Sequence, residues 1–170
     1  YKRQQLEGIS AIEYDVQRYV DSRRVSHYWP IEEFLFDLPH WDGQDRIRAL
    51  ADCVPCENKE WRDFFYIWFL SMVAHWLQMD REHANSTSPL LVGPQGCRKS
   101  SFCQSLLPPE LRSYYVDGID LGSRKDAEMA LNRFALINLD EFDSIPASRQ
   151  PYLKNLLQKA KVTLRKPYGE

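Results

Sequence analysis

Leu90-Leu91-Val92-Gly93-Pro94-Gln95-Gly96-Cys97-Arg98-Lys99-Ser100-Ser101-Phe102 is the stretch on which the reading of this chain turns. Three apolar residues between Pro89 and Gly93 predict a short buried strand between breakers. Gly93 and Gly96 allow backbone angles closed to other residues and let the main chain approach a ligand. Lys99 and Ser100 then open a helix, where free N–H groups and the helix dipole favour an anion. The pattern is close to the phosphate loop G-x-x-x-x-G-K-[ST]. Residues Gly93, Pro94, Gln95, Gly96, Cys97, Arg98, Lys99, Ser100 and Ser101 are therefore the candidate nucleotide-binding set. Arg98 stands where the last glycine of that pattern belongs. The position opens a helix, where a non-glycine residue is sterically permitted. The side chain is expected to turn outward to solvent or phosphate, with the alternative that it lies across the loop and obstructs it.

A second stretch gives the first its chemistry. Ala135-Leu136-Ile137-Asn138-Leu139-Asp140-Glu141 reads as an apolar strand ending in two carboxylates. Nucleotide hydrolysis needs such a partner. Asp140 would hold the water shell of Mg²⁺, and Glu141 would orient or deprotonate the attacking water. Mg²⁺ takes few carboxylates together with phosphates and waters, so Asp140 and the Ser100 hydroxyl suffice as its protein contacts. Lys99, Asp140 and Glu141 are thus the candidate catalytic residues, with ATP and Mg²⁺ as cofactors. The spacing of the two strands leaves room for a right-handed crossover that lays them in one parallel sheet.

Outward from this centre, the 170 residues suffice for one substantial domain or a domain with a small appendage. The chain begins at Tyr1, which reads as part of something longer, and no signal peptide opens it. The run Phe64 to Leu77 is apolar but too short for a comfortable membrane span, and a buried core helix is expected there. Its aromatic stripe is wide enough to need cover on most sides. His75 on it is expected in the core or at its boundary. Cys53-Val-Pro-Cys56 has zinc-like spacing, but no second pair follows it at ribbon spacing. Cys97 in the phosphate loop would suffer in an oxidising compartment, so a cytoplasmic protein is expected.

Periodicity predicts helices over 9–21, from Pro30 to before Leu38-Pro39, around Ile47 to Ala51, and from about Glu60 to Met79. Trp41-Asp42-Gly43 reads as a turn, with Trp41 expected as a core anchor. Tyr114 to Val116 is a predicted strand, Arg124 to Leu131 a helix, and Pro146 to Ala160 a helix. Lys161 to Arg165 reads as a last short strand or hairpin arm. The order is an all-helical N-terminal region (1–86) followed by a P-loop core (87–170).

Ser144 to Gly169 holds Arg149, Lys154, Lys159, Lys161, Arg165 and Lys166 and no acid, on a chain of net charge −2. Such an ending points to nucleic acid or another polyanion; by charge alone a solvated helix face explains it equally well.

The set as a whole resembles a known family. Trp29-Pro30, Leu38-Pro39-His40-Trp41-Asp42-Gly43-Gln44-Asp45-Arg46, the phosphate loop, Leu139-Asp140-Glu141, Leu153-Lys154 and Arg165-Lys166-Pro167-Tyr168-Gly169 follow one another as in the virulence-associated protein E family. The resemblance spans about residues 25–170. It implies an α/β fold with an AAA+-like P-loop NTPase parallel-sheet core, truncated at its C-terminus and preceded by an all-α region. It also implies a superfamily 3-like helicase ATPase of phages and mobile elements that forms homo-oligomeric rings around DNA. By that likeness Lys154, Lys161, Arg165, Lys166 and Tyr168 would face single-stranded DNA, and no membrane is involved. Family members carry a polar sensor and an interface arginine beyond the element where this chain stops, so full hydrolysis is expected of a longer protein. Two readings compete with an ATPase core: a weak or inactive nucleotide- or DNA-binding adaptor, favoured by Arg98, and a small-molecule P-loop kinase, opposed by Asp140-Glu141 and the basic ending.

Overall fold

The computed structural model describes residues 13–20, 22, 29–79, 87–140, 142 and 145–157, the side chains of residues 13, 14 and 17 excepted. The chain forms two compact units, Tyr1–Asp37 and Leu38–Glu170. The first holds α1 (Glu13–Val20) and α2 (Pro30–Phe36). Pro30 occupies the first turn of α2, where its missing N–H costs nothing, and Glu32 and Glu33 meet the positive end of the helix dipole.

The second unit opens on the Trp-Asp-Gly turn and α3 (Arg46–Ala51). The turn holds itself together. Asp42 Oδ1 accepts from the Gln44 N–H at 3.0 Å, and its carboxylate takes a forked pair of bonds from Arg46 at 2.7 and 2.6 Å. The fork holds the Asp42 carboxyl far below the usual carboxylate range. The Trp41 indole N–H donates to Gln44 O at 3.1 Å. That bond folds the ring over its own turn, and Trp41 stays 78% exposed. The expected core anchor is therefore an anchor of the turn alone. Asp45 caps α3 by accepting from the Arg48 N–H at 2.9 Å.

Helix α4 (Trp61–Trp76) is the scaffold of this unit. Phe65, 1% exposed, lies within 5.2–6.1 Å, centroid to centroid, of Trp61, Trp68, Phe69 and Phe102. Ala51 and Leu106 complete the buried set, with Ile47, Leu50 and Leu136 packed on it. The Trp61 indole donates to Ala51 O at 3.0 Å, and the Trp76 indole to Ala135 O at 2.8 Å. One end of α4 thus holds α3, and the other holds the strand that leads to the carboxylates. Its cover is one-sided: Phe64, Ile67 and Leu70, spaced by three along the opposite face, are exposed, and so is His75. The stripe, expected to be covered on most sides, and His75, expected in the core or at its boundary, both depart from that expectation. Burial follows the face that meets α3 and the loop helix, not the hydrophobicity of the whole helix.

After the loop come α5 (Lys99–Ser105), a 3₁₀ turn (Pro109–Tyr114), β1 (Tyr115–Asp117), α6 (Arg124–Arg133), β2 (Leu136–Asn138), a second 3₁₀ turn (Ala147–Arg149) and α7 (Gln150–Leu157). Strands β1 and β2 are parallel, in register Tyr115↔Leu136, Val116↔Ile137 and Asp117↔Asn138, with α6 as their crossover. Gly118 N–H to Asn138 O (2.6 Å) and Ala135 N–H to Tyr114 O (2.8 Å) extend the ladder at both ends. Two strands alone are marginal in water and need a packed face. Here Leu121, Ala127, Leu153 and Leu156 form a second core, joined by Ile119, Leu131, Leu139, Ile145 and Tyr152.

The predicted strand Leu90–Val92 is a correction. It forms no ladder among the described residues, and Leu90 and Val92 are 65% and 88% exposed. An apolar stretch stays in the core only where another element covers it, and among the described residues no strand pairs with this one. Among the described residues no helix is long and apolar enough to cross a membrane. The element expected at 161–165 lies outside the described residues.

Candidate nucleotide site

The loop before α5 folds as the glycines allow. Gly96 sits at φ +81°, and a Cβ on Gly93 would come within 3.1 Å of Cys97 Sγ. Arg98 overturns the steric expectation. It is the N-cap of α5 at φ +65°, ψ +29°, in the left-handed region rather than a helical one. An L side chain there costs about 1–2 kcal/mol. The glycine of the phosphate-loop pattern would carry no such cost. The Arg98 side chain is exposed, so it does not fill the loop.

Lys99 fills it. Its Nζ donates to Gly93 O at 2.9 Å and Pro94 O at 3.1 Å, and lies 3.7 Å from Cys97 Sγ. The next residue reaches across the sequence: Ser100 Oγ donates to Asp140 Oδ2 at 3.2 Å. The hydroxyl and carboxylate assigned to one cation from the sequence, forty positions apart, thus meet. Ser100 is brought by the first turn of α5, and Asp140 by the carboxyl end of β2. Both are hard oxygen donors of the kind Mg²⁺ takes. Cys103, one turn after Ser100 on α5, is half-buried. Burial first, then the charges of Asp117 and Asp140, push its thiol pKa up. Free cysteines are Cys53, Cys56, Cys97 and Cys103, and no metal-binding cluster of His, Cys, Asp or Glu occurs among the described residues.

Pro94, Gln95, Gly96 and Cys97 in the loop and Ser101 on α5 are exposed. Glu141 lies outside the described residues, as do Lys161, Arg165, Lys166 and Tyr168. Of the proposed DNA-facing set only Lys154 is described. It is exposed in the last turn of α7, beside the buried Leu153.

The structure adds three residues that motif reading passed over. Asp117 closes β1, and its Oδ1 accepts from the Tyr115 hydroxyl at 2.6 Å and from Asn138 Nδ2 at 2.9 Å. The signal was present as Tyr-Val-Asp at a strand's carboxyl end. Only the parallel register shows that this end lies beside the one bearing Asp140.

The strain at Arg98 has a measurable consequence. Arg98→Gly removes the left-handed penalty of about 1–2 kcal/mol and adds unfolded-state freedom that costs about 0.5–1 kcal/mol. The variant is expected to be more stable by roughly 0.5–1 kcal/mol, a rise in Tm of about 2–4 °C. A lower Tm in thermal unfolding would show that Arg98 makes contacts worth more than its strain.

A family model described as the virulence-associated protein E-like domain matches residues 35–170. No curated protein and no solved structure gives a significant match.

Proposed function

The chain belongs to the virulence-associated protein E-like family, and on that premise we propose that it is the ATP-binding core of a replication protein of superfamily 3 helicase type. The observation that carries this reading is the meeting of Ser100 Oγ and Asp140 Oδ2 at 3.2 Å beside a lysine-filled glycine loop. Backbone N–H groups at the start of α5 and the Lys99 ammonium would bind the β- and γ-phosphates of ATP. Ser100 and Asp140 would hold Mg²⁺, which supplies charge neutralisation at the phosphates when bound. Glu141, next in sequence to Asp140, is the proposed base for the attacking water. A P-loop core of AAA+ type is the proposed fold. The parallel β1–β2 pair with its helical crossover and the loop-to-helix placement of Lys99 support it. A ring of copies with single-stranded DNA against the basic ending is the proposed assembly, supported by the six cations without an acid between Ser144 and Gly169. Four free thiols, three of them exposed, fit a reducing cytoplasm.

The alternative is an adaptor that binds nucleotide or DNA without turnover. One observation favours it: Arg98 strains the loop at the position where the phosphate-loop pattern has glycine. ATP binding and hydrolysis, measured with and without single-stranded DNA, separate the two. Wild type is expected to bind ATP, and in a C-terminally extended protein Glu141→Gln is expected to keep binding and lose at least about 100-fold in turnover. Binding without turnover in the extended wild type would establish the adaptor. Unaltered turnover in Glu141→Gln would assign the base elsewhere.

A further inference from the structure

Asp117 is drawn into the nucleotide site by three independent constraints. The first is register. Asp117 pairs with Asn138 across the parallel strands, so both stand at the carboxyl edge of the sheet. Ligands of open parallel sheets bind at that edge. The second is helix α5 above it. Ser100 and Cys103 lie three apart and so share a face of α5. Ser100 meets Asp140, while Cys103 feels the charges of both Asp117 and Asp140. The third is hydrogen bonding. Both neutral donors, the Tyr115 hydroxyl and the Asn138 amide, go to Oδ1. Burial, and then the Asp117 carboxylate, push the Tyr115 phenol pKa well above its usual range, so it stays protonated and keeps donating. No ion pair joins Asp117 to a cation among the described residues. Its Oδ2 makes no hydrogen bond there either.

We infer that Asp117 is a positioning residue of this site, whose carboxylate, oriented by Tyr115 and Asn138, accepts a hydrogen bond from the water shell of the Mg²⁺ that Ser100 and Asp140 would hold. The inference rests on the ATP–Mg²⁺ reading of the loop. Its chemistry is that of hydrated magnesium, which sheds water reluctantly and is held partly through hydrogen bonds to its waters. A carboxylate held on one oxygen by two neutral donors presents the other oxygen in a set direction. The competing role is structural: Asp117 would only tie off the end of β1.

The test is calorimetric titration of this chain with ATP over a series of Mg²⁺ concentrations, and again in EDTA. Asp117→Asn is expected to raise the half-saturating Mg²⁺ concentration about 10-fold, while ATP affinity at saturating Mg²⁺ and in EDTA stays at the wild-type value. Tyr115→Phe and Asn138→Ala, each removing one orienting bond, are expected to shift it in the same direction by less. If Asp117→Asn does not fold, these two decide by the same criterion. A Mg²⁺ requirement identical to wild type would overturn the inference, as would an equal loss of affinity at every Mg²⁺ concentration, the mark of a structural role. Wild type that binds no ATP at any Mg²⁺ concentration would overturn the nucleotide reading itself and this inference with it. Wild type that binds normally beside an unshifted variant removes Asp117 alone.

Discussion

Replacing Lys99 with Ala is expected to lower ATP affinity about 100-fold, or about 2.7 kcal/mol, and to leave the fold standing. The size follows from the bonds at stake. Hydrogen bonds to charged groups contribute about 1.5–3 kcal/mol each, and phosphate oxygens would replace the Gly93 and Pro94 carbonyls as partners of Nζ. Those carbonyls belong to exposed residues, so water satisfies them when the ammonium is removed. The fold loses little for that reason. Calorimetry on wild type and Lys99→Ala checks the claim, with circular dichroism to confirm an unchanged fold. Equal affinities would end the assignment of this loop to nucleotide.

Phe65→Ala is expected to have the largest effect on stability, about 3–5 kcal/mol. Phe65 is almost wholly buried and touches four aromatic rings. Truncation loses its burial and leaves a cavity that a rigid aromatic cluster collapses into poorly. Against a typical total of about 5–15 kcal/mol, this brings the chain close to unfolding, with a fall in Tm of roughly 10 °C or more. One of the four rings is Phe102 on α5, so the same change loosens the helix that presents Lys99 and Ser100. Phe65→Leu keeps most of the volume and is expected to cost less than half as much. A Tm within about 2 °C of wild type for Phe65→Ala would mean that α4 does not carry this core.

The helices were legible because their signals are local. Pro30 with following acids, Asp45 before α3 and the apolar repeat of α4 each act within a turn or two of chain. The glycine turn before α5 was legible because glycine angles and a lysine at a helix start are properties of consecutive residues. Burial was not legible, because it depends on what arrives from elsewhere. Leu90 to Val92 have the composition of a buried strand, yet Leu90 and Val92 lie exposed and the stretch has no ladder partner among the described residues. Trp41 is large and apolar, yet its indole N–H is spent on its own turn.

The sequence by itself determined the alternation of helix and strand from Lys99 to Leu157, the glycine turn that holds Lys99, and the presence of the Ser100 hydroxyl and the Asp140 carboxylate. Each of these rests on residue type and short-range spacing. Tertiary structure decided three other things. The pairing of β1 with β2 brings Asp117 beside Asn138. The docking of α5 on α4 through Phe102 and Phe65 fixes the helix that carries Ser100 to Asp140. The backbone at Arg98 is left-handed, where residue type alone allowed a helical one. Register and docking are fixed by contacts between distant segments, and no window of consecutive residues contains both partners.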